Sequence, residues 1–172
     1  MSWIQTYSGK KFDILNPTLE SICIEDIAHA LSYQCRFSGH TKIHYSVAQH
    51  SVLVSYFCEQ NDAFWGLMHD ASEAYLVDVP RPIKHLQEFS QYSRFEKQIQ
   101  SLICEKFGLT DIEPPSVKFA DNLLLSLEAE CFMSPLHEEW KFPLNKLPLT
   151  IKPLQPHEAE VLFLERFKKL NG

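Results

Sequence analysis

The sequence predicts an all-α fold with a small β-hairpin or extended arm at its N-terminus. Beyond residue 20, apolar side chains recur at the spacing of helices that bury one face. Residues 1–16 instead alternate weakly between apolar and polar, and Ser8 and Gly9 in their middle are typical of a turn. The chain has 172 residues, of which 45% are apolar, enough to bury a core without disulfides or metals. We therefore predict a single domain over residues 1–172.

The periodic segments predict six helices, and residues at their ends support the boundaries. Ser46 is suited to an N-cap because its hydroxyl can accept a hydrogen bond from the first helical turn. Gly108 follows the longest periodic segment, and glycine tolerates the left-handed backbone that ends many helices. The predicted helices span residues 22–32, 46–59, 62–76, 90–107 and 116–130, and the last one begins at Pro156.

Three connecting segments interrupt this helical pattern. Residues Arg36–His40 are expected to form a loop that leads into the second helix. Two prolines in the segment 78–82 lack amide donors, so this segment is expected to follow an extended path beside the third helix. The segment 132–156 has little periodicity, and we expect it to cover one face of the protein, with the run at 137–139 exposed to solvent.

The charge balance argues against several classes of partner. The chain has 16 basic and 22 acidic residues and a net charge of −6, which disfavours electrostatic binding to a nucleic-acid polymer or to an anionic membrane. An anionic substrate would therefore need a local cluster of basic side chains. The sequence has no uncharged apolar run of about 18 residues and no apolar N-terminal run typical of a signal peptide. We expect neither membrane insertion nor secretion.

The five cysteines do not form a recognisable pattern. Their odd number and the lack of Cys-x-x-Cys spacing argue against a disulfide framework and against a structural zinc site. We expect them to act as small apolar side chains in a reducing cytoplasm. They are Cys23, Cys35, Cys58, Cys104 and Cys131.

His69, Asp70 and Glu73 share one sector of the predicted helix 62–76. At 100° per residue, His69 and Glu73 lie about 40° apart, and Asp70 lies about 60° from Glu73. The His-Asp pair can supply a nitrogen and an anionic oxygen to one metal ion, and Glu73 can transfer protons without being a ligand. The same three side chains could instead solvate the edge of a helix.

His50 and Asp121 each lie on an apolar helix face. His50 shares its face with Val47 and Val54, and Asp121 has apolar neighbours at offsets of −4, +3 and +4. A carboxylate among apolar residues costs several kcal/mol unless it is paired or bound to a metal. His50 could be a metal ligand or a hydrogen-bonded core histidine, and Asp121 could be a ligand or half of a buried salt bridge.

One metal ion would account for all of these local arrangements. His50, His69, Asp70 and Asp121 offer two nitrogens and two carboxylates from three predicted helices. This donor set suits a divalent ion such as Zn, Mn, Co, Fe or Mg, with open positions for water and substrate. We predict one divalent metal ion, because His85 fits a second site poorly.

The order of these ligands resembles the H…HD…D signature of the HD-domain metal-dependent phosphohydrolases, an all-helical family. The segments 45–51 (YSVAQHS) and 69–84 (HDASEAYLVDVPRPIK) resemble the bacterial 5′-deoxynucleotidases and their phage and prophage relatives. The N-terminal arm and the loop Arg36–His40 resemble the phage-type members most closely. The resemblance covers residues 1–125, is weak after Phe132, and implies an HD-domain helical bundle.

The resemblance also implies roles for residues around the metal. Glu73 would be the acid/base group, and Asp78 would support the substrate or the water network. Arg36 and Lys84 match positions that approach the phosphate, although from the sequence alone they could be ordinary surface cations. Phe37 stands where the better-known deoxynucleotidases have a tryptophan suited to crowding a ribose 2′-hydroxyl. The smaller ring leaves the sugar selectivity open.

The activity implied by the resemblance is removal of the 5′-phosphate from deoxynucleoside monophosphates by a cytoplasmic, metal-dependent enzyme that forms a homodimer or larger assembly. A triphosphohydrolase that releases tripolyphosphate from deoxynucleoside triphosphates is an alternative, and Arg81, Arg94 and Lys97 are its candidate cations at the pocket mouth. A non-catalytic, metal-containing nucleotide sensor is a third interpretation. In each case the expected partner is a small nucleotide.

Overall fold

The computed structural model describes residues 2–138 and 150–172, and helices dominate this part of the chain. The predicted all-α fold with a small β-element is confirmed. No helix in the described residues is both long enough and apolar enough to cross a bilayer. The described helices are α1 (Ile24–Tyr33), α2 (Val47–Phe57), α3 (Ala63–Met68), α4 (Glu73–Leu76), α5 (Arg81–Lys84), α6 (Ser90–Phe107), α7 (Pro115–Phe132) and α8 (Pro156–Asn171).

The N-terminal arm is a β-hairpin. Its strands, β1 (Trp3–Gln5) and β2 (Lys11–Asp13), are antiparallel, and Ile4 is paired with Phe12. Phe12 is fully buried and its ring stacks on that of Tyr75, with 3.9 Å between the ring centroids. At the turn of the hairpin, Tyr7 stacks on His29 of α1 and Ser8 donates hydrogen bonds to Asp26, so the hairpin is attached to the helices at both its strand and its turn.

Helix α2 is central to the fold. It packs against α1, α3, α7 and α8, and a helix with neighbours on several sides must be apolar around most of its circumference. Val47, Val52 and Val54 are accordingly buried. The helix begins as predicted, because the Gln49 amide donates a hydrogen bond of 3.1 Å to the Ser46 hydroxyl. Polar side chains on α2 are thereby placed inside the protein.

The contact between α2 and α3 requires a glycine at position 66. A Cβ atom there would lie 2.9 Å from Sγ of Cys58 and 3.2 Å from Cα of Ser55. We expect Gly66→Ala to lower the free energy of unfolding by about 1 kcal/mol or more, because overpacking outweighs the gain in helix propensity. Urea unfolding measures this change. The matched comparison is Cys58→Ala with Gly66→Ala/Cys58→Ala, in which the sulfur is gone but the 3.2 Å approach to Cα of Ser55 remains, so part of the loss should persist. A Gly66→Ala protein as stable as the unmodified chain would contradict the prediction.

The predicted continuous helix 62–76 is wrong. Helix α3 ends at Met68 and α4 begins at Glu73. Backbone amides in and after the connection bond to carbonyls three residues back instead of four, which tightens the chain to three residues per turn. His69 and Asp70 consequently lie in a turn between two helices. The apolar spacing did not reveal this break because side-chain periodicity continues across it.

The predicted extended path through 78–82 is wrong in its second half. Residues Arg81–Lys84 form the single turn α5, and Pro82 lies in its first turn, where a missing amide costs nothing. The chain before it is strained, since the β-branched residue Val77 has a left-handed φ of 73°. The hydroxyl of Tyr92 donates a hydrogen bond of 2.6 Å to the Val77 carbonyl and holds this conformation.

The predicted cover over residues 132–156 is described only at its two ends. Residues 139–149, which include the last residue of the run 137–139 that we expected to be exposed, lie outside the described residues. Beyond them, Ile151 is buried and packs with Tyr45 and Phe132 in a small apolar cluster. The end of the segment therefore contributes to the core.

Candidate metal centre and its cavity

His50 lies on α2, and its side chain is fully buried. Its Nδ1 is 2.7 Å from a carboxylate oxygen of Glu128, and because a carboxylate can only accept, Nδ1 carries a proton. The other nitrogen, Nε2, has no hydrogen-bond partner in the described part of the chain and lies 3.4 Å from Oδ1 of Asp121. Burial and Arg36 disfavour the charged ring, but Glu128 and Asp121 outweigh them and raise the pKa of His50 to about 9.

Glu128 is the site residue that the sequence reasoning missed. It is fully buried on α7 and accepts hydrogen bonds from the Tyr45 hydroxyl at 2.6 Å, from His50 at 2.7 Å and from the Arg36 guanidinium at 3.2 Å. Burial opposes its ionisation, but His50 and Arg36 hold the pKa of Glu128 below its ordinary value. Its position seven residues after Asp121, on the same helix face and within an apolar run, was the signal that could have identified it.

His69 lies in the turn between α3 and α4. Its Nδ1 is 2.8 Å from the Gly66 carbonyl, and because a carbonyl can only accept, Nδ1 carries a proton and Nε2 is the atom that the ring offers to the cluster. Nε2 is buried, makes no hydrogen bond in the described structure, and lies 3.1 Å from Oδ2 of Asp70. Burial opposes the charge on Asp70, but His69 and His50 hold the pKa of this carboxyl well below its ordinary value.

Asp121 lies on α7 and is buried. Its two oxygens have different surroundings: Oδ1 lies 3.4 Å from Nε2 of His50, whereas Oδ2 lies 3.1 Å from Nζ of Lys118 and 3.7 Å from a guanidinium nitrogen of Arg81. Although burial opposes its charge, His50 holds the pKa of Asp121 well below its ordinary value. Asp121 thus forms ion pairs with two half-exposed cations and also faces the histidines, and its role as a metal ligand stays a prediction.

His50, His69 and Asp121 form a cluster that could hold a metal ion. Each contributes one ligand atom, and the three atoms lie within 4.8 Å of one another. Two buried imidazole nitrogens without hydrogen-bond partners are costly, and coordination of a divalent ion would satisfy both. Asp70, the fourth predicted ligand, lies beside them, 3.8 Å from Nε2 of His50. These donors come from two helices and a turn, whereas the sequence predicted three helices.

A cavity of about 960 Å³ opens next to this cluster, a volume suited to a small organic ligand. Two of the predicted metal ligands, Asp70 and Asp121, lie on its wall, and Val79, Leu125 and Met133 make part of the wall apolar. The structure also brings the other predicted site residues to this wall. They are Arg36, Phe37, Glu73, Asp78 and Lys84.

Glu73 is buried on this wall, with 4% of its surface exposed. Its Oε1 lies 3.3 Å from Nζ of Lys84, and its Oε2 has no hydrogen-bond partner among the described residues. Burial, with Asp70 and Asp78 nearby, raises the pKa of Glu73 well above its ordinary value. Lys84 also contacts Glu96 at 2.6 Å. Lys84 is thus an ion-paired wall residue, and the interpretation of it as an ordinary surface cation is wrong.

Arg36 is buried as well, so its interpretation as a surface cation is also wrong. Its guanidinium lies 3.2 Å from Glu128 and 3.8 Å from Asp70. The predicted loop after it is a short 3-10 turn in which Phe37 and Ser38 have left-handed φ angles of 54° and 52°. Backbone strain of this kind is concentrated at functional sites.

The three cations predicted for the pocket mouth, Arg81, Arg94 and Lys97, do not lie together in the structure. Arg81 lines the large cavity, and Lys97 lines a smaller adjacent pocket of about 230 Å³. Arg94 lines neither of the two. Lys118, which the sequence did not single out, lines both.

Metal binding at the cluster is expected to raise the free energy of unfolding. We expect Mn²⁺ at about 100 times its dissociation constant to raise the free energy of unfolding by about 2.7 kcal/mol. Asp121→Asn should lose most of this gain, because it removes one ligand. Thermal unfolding of metal-stripped protein with increasing Mn²⁺ measures both. Asp111→Asn, an exposed substitution, should behave like the unmodified chain, and an undiminished gain in Asp121→Asn would place the ion elsewhere.

Comparison with known proteins relates the whole chain to bacterial relatives. It is 42% identical over 175 residues to the uncharacterized protein YfdR of Escherichia coli (strain K12), and this covers 99% of the chain and 97% of YfdR. The chain belongs to the YfdR family. Over 142 residues it is also 35% identical to the uncharacterized protein RCAP_rcc00048 of Rhodobacter capsulatus, covering 75% of the chain and 72% of that protein. No family model matches the chain.

Proposed function

We propose that this chain is an HD-domain, metal-dependent phosphohydrolase that removes the 5′-phosphate of deoxynucleoside monophosphates in the cytoplasm. The observation that supports it best is the pair of buried Nε2 atoms of His50 and His69 beside Asp121, neither of which has a hydrogen-bond partner in the described part of the chain. An acidic protein that takes an anionic substrate needs local positive charge, and the cavity wall carries four basic side chains: Arg36, Arg81, Lys84 and Lys118.

In this proposal, the metal cluster and the guanidinium of Arg36 each contact a different part of the phosphate. A divalent ion held by His50, His69, Asp70 and Asp121 would supply Lewis-acid polarisation of the phosphoryl group. Arg36 is held by Glu128 and Asp70, and a guanidinium that is already positioned can donate to phosphate oxygens without further ordering.

Glu73 is suited to proton transfer in this reaction. Burial, with Asp70 and Asp78 nearby, raises its pKa and so favours the protonated form that a proton donor needs. Its Oε2, which has no hydrogen-bond partner among the described residues, is the atom that can carry the proton. As water forms the new bond to phosphorus and the P–O5′ bond breaks, Glu73 gives this proton to the leaving 5′ oxygen. Asp78, on the same wall, accepts the proton of the attacking water. The products are orthophosphate and a deoxynucleoside.

Phosphate release from a panel of nucleotides tests the proposal. Metal-stripped protein is supplied with Mn²⁺, Co²⁺, Zn²⁺ or Mg²⁺ and given ribo- and deoxynucleoside mono- and triphosphates. We expect orthophosphate from the deoxynucleoside monophosphates. Absence of any product while metal is bound would contradict hydrolysis and favour a nucleotide sensor.

Tripolyphosphate release from deoxynucleoside triphosphates is a second candidate activity. Arg81 on the cavity wall favours it, because a longer anionic tail needs an additional cation. In the same panel, tripolyphosphate measured separately from orthophosphate would identify this activity.

A further inference from the structure

The cations on the cavity wall differ in how their charge is balanced. Arg36 lies between Glu128 at 3.2 Å and Asp70 at 3.8 Å. Lys84 likewise contacts two carboxylates. Both side chains are largely buried and have more than one anionic partner, so little of their charge is available to a second ligand group.

Arg81 and Lys118 are balanced differently. They come from α5 and α7, line the same cavity and share one carboxylate oxygen, Oδ2 of Asp121, at 3.7 Å and 3.1 Å. Their side chains are 53% and 50% exposed. Arg81 also lies 3.5 Å from the Asn122 side-chain oxygen, which carries no charge. Within ion-pair distance in the described part of the chain, these two half-exposed cations therefore share a single carboxylate, and Glu113 also lies near Lys118.

The carboxylate of Asp121, which Arg81 and Lys118 share, also lies beside the histidine cluster. Its other oxygen, Oδ1, lies 3.4 Å from Nε2 of His50, within the cluster that fits a metal ion. When a cation occupies that cluster, the negative charge of Asp121 is shared with it. The Coulomb attraction left for Arg81 and Lys118 is then smaller, and an anion from the cavity is the partner that can replace it.

We infer that Arg81 and Lys118 form a second anion subsite, which takes a phosphoryl group linked to the one at the metal cluster. This inference rests on the proposed function, because it assumes that a first phosphate binds beside Asp121. The guanidinium fork of Arg81 and the mobile ammonium of Lys118 are both suited to phosphate oxygens. Ligands with two or more linked phosphoryl groups should thus bind more tightly than monophosphates.

Calorimetric titration of the full chain loaded with Mn²⁺ tests the subsite with orthophosphate and pyrophosphate as probes. We expect pyrophosphate to bind about tenfold more tightly than orthophosphate, the size of effect that a charge-assisted contact provides. The double variant Arg81→Ala/Lys118→Ala should lose this difference and keep its orthophosphate affinity. Because pyrophosphate also chelates free Mn²⁺, the deciding quantity is the pyrophosphate-to-orthophosphate affinity ratio of the double variant relative to that of the unmodified chain at the same Mn²⁺ concentration.

A charge-matched control separates the subsite from a general electrostatic effect. Arg94→Ala/Lys169→Ala also removes two positive charges, and neither residue lines the cavity, so its pyrophosphate preference should persist. Equal binding of both anions by the unmodified chain, or a preference that survives in Arg81→Ala/Lys118→Ala, would overturn the subsite and leave the proposed function intact. Failure of orthophosphate to bind at all would instead overturn the proposed function.

Discussion

Replacing Glu128 by glutamine is expected to weaken Mn²⁺ binding by about 10- to 100-fold, the usual effect of losing a carboxylate that orients a metal-binding histidine. Glu128 accepts a hydrogen bond of 2.7 Å from Nδ1 of His50 and thereby presents Nε2 to the cluster. A glutamine amide keeps the shape of the side chain but not its charge, so the ring is held less firmly. Calorimetric titration of metal-stripped protein with Mn²⁺ measures the change.

Glu128→Ala should also destabilise the fold, by about 3–5 kcal/mol, because it leaves Arg36 buried without its closest carboxylate. Urea unfolding measures this loss. Glu130→Ala is the matched control, since Glu130 lies on the same helix and is exposed. If Glu128→Gln bound Mn²⁺ as tightly as Glu130→Ala, the orientation of His50 would not depend on Glu128.

Glu73→Gln is expected to reduce the turnover of deoxynucleoside monophosphates by about 10²- to 10⁴-fold, the typical contribution of a positioned proton donor. The amide fills the same volume but cannot give a proton to the leaving oxygen. Mn²⁺ and nucleotide affinities should change little, because Glu73 is not among the clustered metal ligands. Single-turnover phosphate release, together with calorimetry, separates turnover from binding.

Glu96→Gln is the matched control for Glu73→Gln. Both carboxylates contact Nζ of Lys84, but Glu96 does not line the large cavity. A loss of turnover caused only by a disturbed Lys84 would appear in both variants. Near-normal turnover in Glu73→Gln would remove Glu73 from the proposed proton transfer.

Much of the fold was predictable because the apolar spacing and the end residues of a helix lie within the helical segment itself. The apolar spacing and the end residues placed most helices, including the N-cap at Ser46 and the left-handed Gly108 that ends α6. The same spacing could not reveal the tight turn between Met68 and Glu73, since three- and four-residue periods coincide over so few positions. The single turn at Arg81–Lys84 was hidden for a similar reason, because prolines permit both an extended path and a first helical turn.

The candidate site was predictable where a polar residue interrupts an apolar face. His50 and Asp121 were identified in that way, and the structure brings them together with His69. Glu128 interrupts an apolar face as well, but its partners Tyr45, His50 and Arg36 are 83, 78 and 92 residues away along the chain. Nothing local to Glu128 indicates them.

The sequence by itself determined the helical class, a small N-terminal arm that is either a hairpin or extended, and the residue types that converge near His50, because periodicity and composition are properties of short segments. Only the tertiary structure decided which charges compensate one another. It buried Arg36 against Glu128 and left Arg81 and Lys118 sharing Asp121. Burial and ion pairing depend on which distant segments pack together, and that is the physical reason why they could not be derived from spacing along the chain.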